Sequence, residues 1–208
     1  MAGAMAGGGK PRAVTLRDGA RIMIRPVRPS DKRAIASAFD RLSPESRYRR
    51  FFAPLTRLSE RDLAYLTEVD HHDHEALVAY DARSGEPIGV ARFVRWAEPA
   101  EAEVALTVVD HWQGRGVGTA LLERLVERAR EEGIQRFLAL IVGENRRALD
   151  LARSLAPDGG PPRRSASGHL ELVVDLPGPG EGIGRRLRRL LREAARGLTI
   201  NPWRVLRR

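Results

Sequence analysis

Between Val108 and Gly133 a β-branched run, a turn holding three glycines in five residues and an amphipathic helix follow one another. No other stretch restricts the fold as strongly. "AEAEVALTVVD" (100–110) has the alternation of a strand. Leu121, Leu122, Leu125, Val126 and Ala129 then make one apolar stripe at helical spacing, and Gly133 is the stop. The turn between them reads Gln113-Gly114-Arg115-Gly116-Val117-Gly118. A helix start leaves about four backbone N–H groups without partners, and its dipole favours anions. Bare backbone at 114, 116 and 118 lets an anionic group reach those donors, and a diphosphate has the required charge and size.

Two familiar phosphate-binding patterns do not fit. The glycines fall as G-x-G-x-G rather than G-x-G-x-x-G, and the next strand, "RFLALIV" (136–142), has no acidic residue at its end. "GGGKP" near the N-terminus has Ala4 where a P-loop needs its first glycine and Pro11 where it needs Ser or Thr.

Further strands are expected at 20–28, 75–81, 87–96 and 169–176. Helices are expected after Ser30, after Ser43 with Pro44 at the first position, and over 59–69 with Ser59 as cap. Two more are expected from Glu144 to about Ala156 and from about Ile183 to Arg196. Strands first and then alternating strands and helices predict an α/β (mixed α+β) fold, one mixed sheet with helices on both faces. The expected organisation is a disordered leader over 1–13, one domain over 14–176 with a flexible loop at 157–168, and a basic amphipathic helix and tail over 177–208.

Composition narrows the chemistry. The 208 residues, 42% of them apolar, suit one domain with appendages. The absence of cysteine excludes disulfides, zinc–thiolate sites and a cysteine nucleophile. No apolar run approaches the roughly 20 residues of a membrane span, and "MAGAMAGGGKPR" lacks the apolar middle of a secretory signal, so a cytoplasmic location is expected. The net charge of +9 is concentrated at the C-terminus: 181–208 holds nine arginines against two glutamates.

Gln113-x-x-Gly116-x-Gly118, set between a strand and an amphipathic helix, resembles the acyl-CoA pyrophosphate motif of the GCN5-related N-acetyltransferases. The resemblance runs from about Val14 to Ala156 and includes Asn145 after the following strand. Within that family, "LSPESRYRRFF" and "VDHHDHEALVAY" look like the acetyltransferase domain of the Pat-type protein lysine acetyltransferases. The resemblance implies a mostly antiparallel sheet splayed at the acyl-CoA site and acetyl-CoA as cosubstrate, with no metal. It also implies a pantetheine arm that adds along the splay by backbone hydrogen bonds. Cofactor contacts are then expected from Val108 and Val109 by main chain, from Gln113, Gly114, Arg115, Gly116, Val117 and Gly118 at the phosphates, and from Asn145, which either binds pantetheine or caps its helix.

Transfer from a thioester to an amine requires a neutral nitrogen, and free lysine titrates near ~10.4. Pat-like enzymes carry a glutamate in an A-E-V-A-type strand, which assigns the base to Glu103, with Glu101 as the alternative on the same strand face. A backbone N–H near Val108 is the expected oxyanion donor. Many relatives place a tyrosine seven residues after the asparagine as thiolate acid; here that position is Ala152, so no general acid is assigned. Without cysteine, transfer is direct within a ternary complex.

The acceptor implied by the resemblance is a protein lysine. A small amine remains open, as does a non-catalytic acyl-CoA sensor. His71, His72, Asp73 and His74 are too close in sequence for all four to reach one ion, although His74 stands where the family approaches the substrate amine. The basic C-terminal helix suits docking on the domain or on a partner copy in a homodimer, or an anionic partner such as nucleic acid or a membrane surface.

Overall fold

The computed structural model describes residues 9–51, 54–95, 98–141, 163–164 and 170–176. Strands β1 (Arg12–Thr15), β2 (Arg21–Pro26), β3 (His74–Asp81), β4 (Pro87–Arg95), β5 (Glu101–Val108), β6 (Arg136–Ile141), β7 (Arg163–Arg164) and β8 (Leu170–Asp175) form one sheet. Their order is β1-β2-β3-β4-β5-β6-β8-β7. Every neighbouring pair is antiparallel except β5–β6, which is parallel because a helix crosses between them. The fold is therefore the mixed, mostly antiparallel sheet with helices on both faces that the sequence predicts.

The crossing helix is α4 (Val117–Glu131). Its predicted apolar stripe is buried against Ala91 and Phe93 of β4 and Ala102, Val104, Leu106 and Val108 of β5, in the main core. Gly133 follows the helix, and its N–H closes the last turn on Arg130 O at 3.0 Å. The opposite sheet face carries α1 (Lys32–Asp40), α2 (Pro44–Phe51) and α3 (Glu60–Thr67). Ile35, Leu63 and Leu66 pack there on Val78, and Phe39, Leu42 and Phe51 make a second cluster. Among the described residues no helix is long and apolar enough to cross a membrane.

Several local expectations are met. Ser59 caps α3 in a reciprocal box with Asp62, and Ser43 Oγ accepts the Ser46 N–H at 3.1 Å ahead of Pro44. Ser30 is a correction. A single 3-10 turn, Pro29–Asp31, precedes α1, and Asp31 organises it. The Asp31 carboxylate takes the Arg28 N–H at 2.8 Å and two hydrogen bonds from Arg25, at 2.7 and 2.8 Å. With the Tyr80 hydroxyl donating at 3.0 Å as well, a charged acceptor holding four donors prevails over a neutral hydroxyl.

Two boundaries also move. β1 takes Arg12 and Ala13 out of the expected leader by pairing with Ile24 and Met23. Arg163 and Arg164, expected in the 157–168 loop, pair with β8. The expected helices at 144–156 and 183–196, the rest of the 157–168 loop, and Asn145 and Ala152 lie outside the described residues.

Candidate active site

The register of β5 sets the geometry. It pairs with β4 from Arg95↔Ala102 to Gly89↔Val108. Its pairing with β6 stops at Glu103↔Leu138, although β6 runs on beside β8 as far as Ile141↔Leu170. The sheet thus parts just beyond Glu103. Hydrogen-bonding direction alternates along an antiparallel strand, and the Val109 N–H donates to Ile88 O of the β4 side at 3.0 Å. Odd-numbered residues of β5 accordingly address β4, and even-numbered ones address β6. The main chain of Leu106 and the N–H of Val108 therefore face the gap rather than a strand.

Val108 and Val109 separate on this basis. Both main-chain groups of Val109 are already used, because its carbonyl accepts the Trp112 N–H at 2.8 Å. The Val108 carbonyl accepts the Gln113 side-chain amide at 3.0 Å, which leaves its N–H toward the opening. Gln113 thus holds the turn against the strand end.

At the far end of the gap the chain makes a 3-10 turn, Asp110–Trp112, and enters α4 through the glycines. Gly114 has φ 74° and Gly116 φ 105°, conformations that side-chain-bearing residues rarely take. They turn the chain so that the first N–H groups of α4, from Val117 and Gly118 onward, present to the mouth of the splay. A diphosphate fits such a cradle, since nothing lies within 4 Å of where a Gly114 Cβ would stand. The Arg115 guanidinium is stacked 3.9 Å over Trp112 and donates to Asp18 at 2.6 Å. Its charge sits at the turn but is shared with a carboxylate from the β1–β2 hairpin.

Asp110 joins this turn to the helices of the other face. Its carboxylate accepts Ser43 N–H at 2.8 Å, Ser43 Oγ–H at 3.1 Å and Ser46 Oγ–H at 2.7 Å. Burial pushes its pKa up, but these donors outweigh burial and hold it below the usual carboxylate value.

The odd-numbered side chains of β5 point to the α1–α3 face. Glu103 is there and only 1% exposed, which excludes a glutamate facing bulk solvent. Cross-strand pairs share a face, so His74, Val94 and Glu103 stand abreast on β3, β4 and β5, with Ala76, Arg92 and Ala105 in the next row. On the same face opens a small, solvent-connected pocket lined by Ile35, Phe39, Leu42, Val90, Thr107 and Val109 among others. Apart from Arg92 and Thr107 its walls are apolar. Glu101 pairs instead with Arg136 at 3.1 Å.

His74 accepts a hydrogen bond on Nε2 from Arg92 at 3.0 Å and packs on Tyr65, ring centroids 4.9 Å apart. Burial, then the neighbouring guanidinium, pulls its pKa down to about 3, so the ring is neutral. Its neighbours in the histidine run serve elsewhere: His71 Nδ1 meets Glu75 at 2.7 Å, and His72 meets Glu132. No metal-binding group of three or more residues occurs among the described residues.

Arg92 is the site-face residue that sequence reading missed. The signal was an arginine inside "PIGVARFVR", where a strand covered on both faces carries apolar residues throughout.

Comparison with known proteins places these features. The family described as "Acetyltransferase (GNAT) family" matches residues 37–156. The acetyltransferase Pat of Mycolicibacterium smegmatis is 39% identical over 136 residues, 65% of this chain and 40% of that protein. An L-methionine sulfoximine/L-methionine sulfone acetyltransferase of Pseudomonas aeruginosa is 33% identical over 116 residues, 53% of this chain and 59% of the relative. This chain thus spans less than two thirds of either relative. Among solved structures, the GNAT domain of S. lividans PAT superposes with a TM-score of 0.69 at 37% identity, covering 80% of this chain and 97% of that one.

Proposed function

The chain belongs to the GNAT family of acetyltransferases, which use acetyl-CoA as cosubstrate, and we propose that it acetylates a lysine side chain of a protein substrate. The single observation that carries this reading is the position of Glu103. It is a buried carboxylate at the vertex of the splay, on the face that holds an apolar pocket. A lysine enters such a pocket stem first, its methylenes against apolar walls and its nitrogen at the far end.

Acetyl-CoA supplies the acyl group as a thioester, which an amine attacks without further activation. The proposed work of the chain is to hold and aim it. The N–H groups at the start of α4, with Gly114, Gly116 and Gly118 around them, receive the diphosphate, with Arg115 beside it. Asn145, outside the described residues, is proposed to bind the pantetheine or to cap its own helix. Leu106 offers main-chain hydrogen bonds to the pantetheine arm, and the Val108 N–H is assigned to the developing oxyanion. Glu103 takes a proton from the acceptor ammonium, directly or through a water. The nitrogen then bonds to the carbonyl carbon, the carbon–sulfur bond breaks, and the second nitrogen proton passes through solvent to the departing thiolate. The second reading, a small amino-acid acceptor, is favoured by the likeness to the sulfoximine acetyltransferase. The basic 177–208 segment is proposed to hold an anionic partner, in a cytoplasmic protein.

A thiol-release assay tests both readings against lysine peptides, polyamines and methionine sulfoximine. Turnover on peptide lysine is expected, and Glu103→Gln should lower kcat by roughly 10²–10⁴-fold with acetyl-CoA affinity retained. Turnover confined to free amino acids would replace the lysine reading. Binding of acetyl-CoA without turnover on any amine would make the protein a sensor.

A further inference from the structure

Arg92 is 1% exposed, in the middle of β4. Its described partners are all neutral: His74 Nε2 at 3.0 Å, Leu66 O at 3.0 Å, and the Tyr65 ring 5.8 Å from the guanidinium carbon. Among the described residues it makes no ion pair, and its Nε–H has no acceptor. Burial lowers its pKa to about 10, which leaves it charged at pH 7. A buried cation without a counter-ion is costly to keep, and this one lines the pocket on the sheet face that also carries Glu103. The register puts it one strand across and two residues along from Glu103, a diagonal of roughly 7–8 Å.

The chemistry of the proposed reaction gives such a charge a use. A carboxylate beside an amine accepts its proton, but it also stabilises the ammonium, which has no lone pair. A fixed cation on the same face opposes that second effect. We propose that Arg92 is a positioning residue for the amine-acylation reaction: its field disfavours the ammonium form of the bound acceptor, so that Glu103 draws off the proton rather than retaining an ion pair. The inference rests on the amine-acylation reading above and holds for any basic amine. His74, hydrogen-bonded to this guanidinium, is held neutral by burial first and by the guanidinium second.

Among the described residues the charged and titratable groups facing Arg92 are few. β3 contributes His74, with Asp70 accepting the His74 N–H. α3 contributes Tyr65, and β5 contributes Glu103. α1 and α2 present Ile35, Ala38, Phe39 and Phe51 to the pocket, none of them charged. At an effective dielectric constant near ~20 and the spacing above, the field moves the bound amine by on the order of one pH unit.

The test is the pH dependence of kcat at saturating acetyl-CoA and peptide, which reports the enzyme–substrate complex. Two versions of one peptide are compared: one carries lysine, the other an aminooxy analogue of lysine that is already neutral at pH 7. Arg92→Met should move the acid limb for the lysine peptide up by about one pH unit, a fall of about tenfold at pH 7. The aminooxy peptide should change by less than about twofold. Arg92→Lys, which keeps the charge, should keep the limb where the wild type has it.

An unmoved limb in Arg92→Met overturns the proposal, and so does an equal loss on both peptides. Should Arg92→Met fail to fold, the wild-type limb decides: a position at least one unit below free lysine upholds the proposal, and one at or above free lysine overturns it. No turnover on either peptide would remove the acylation reading itself, whereas turnover with an unshifted limb removes only the role of Arg92.

Discussion

His74 makes acid stability a quantitative test of how the site face is built. The perturbation is a drop in pH from 7.5 to 5, in the wild type and in His74→Gln. In the folded protein the ring titrates near 3, because burial and then Arg92 disfavour the charged form. In the unfolded chain it titrates near ~6.5. The folded pKa is depressed, so between these values the unfolded state binds a proton that the folded state refuses. Stability is therefore intact above about 6.5 and falls with pH by about 1.4 kcal/mol per unit. At pH 5 the loss from this group is about 2 kcal/mol, a large share of a typical 5–15 kcal/mol. Glutamine keeps an oxygen for the Arg92 N–H and does not titrate, so His74→Gln removes the term while sparing the hydrogen bond. Urea unfolding at both pH values should show the wild type losing about 2 kcal/mol more than the variant, since the carboxylates contribute equally to each. Equal losses would refute a neutral, Arg92-bound His74. So would an NMR titration in which every histidine moves between pH 5 and 8.

Two further outcomes concern the glycine turn and the Asp31–Arg25 pair. Gly116→Ala places a side chain at φ 105° but meets only Leu16 Cδ2 at 3.8 Å, so the cost is backbone strain of about 1–3 kcal/mol; calorimetry should show weaker acetyl-CoA binding, and unchanged affinity would remove the turn from the coenzyme site. Asp31→Asn strands the largely buried Arg25, its partner at 2.7 Å, and should cost about 3–5 kcal/mol in urea unfolding. Burial raises the Asp31 pKa, but Arg25 and the Arg28 N–H outweigh it and leave the carboxyl lowered, so its contribution is present above the unfolded value and lost as pH falls through the folded one.

What the sequence revealed divides by the range of the forces involved. The β5–turn–α4 unit was legible because its signals are local: alternation, glycines at a helix start, an apolar stripe and a stop. The cap at Ser59 was legible for the same reason, since its partner Asp62 is three residues away. β1 escaped notice because an edge strand of four residues, only one of them partly buried, carries no apolar pattern. The strand expected to reach Asp110 ends at Val108, because the Asp110 carboxylate is claimed by Ser43 and Ser46, 64 to 67 residues earlier. Arg92 is the extreme case. Its partners His74 and Leu66 lie 18 and 26 residues back on other elements, and no local pattern explains a charge in that position.

One strand faces both halves of the proposed reaction, and the alternation of β structure is what permits it. Even-numbered residues of β5 send side chains into the α4 core and turn main-chain groups toward the splay. Odd-numbered residues spend their main chain on β4 and send side chains toward the pocket. The coenzyme is thus offered backbone, which no substitution short of proline alters, while the acceptor is offered side chains, which substitution changes freely. Relatives sharing the cradle can differ in acceptor through residues such as Thr107 and Arg92 without disturbing the splay. The family match over 37–156 spans both the glycine turn and the His74–Arg92–Glu103 face. By the same separation the acceptor is to be sought at the His74–Arg92–Glu103 face rather than at the glycine turn.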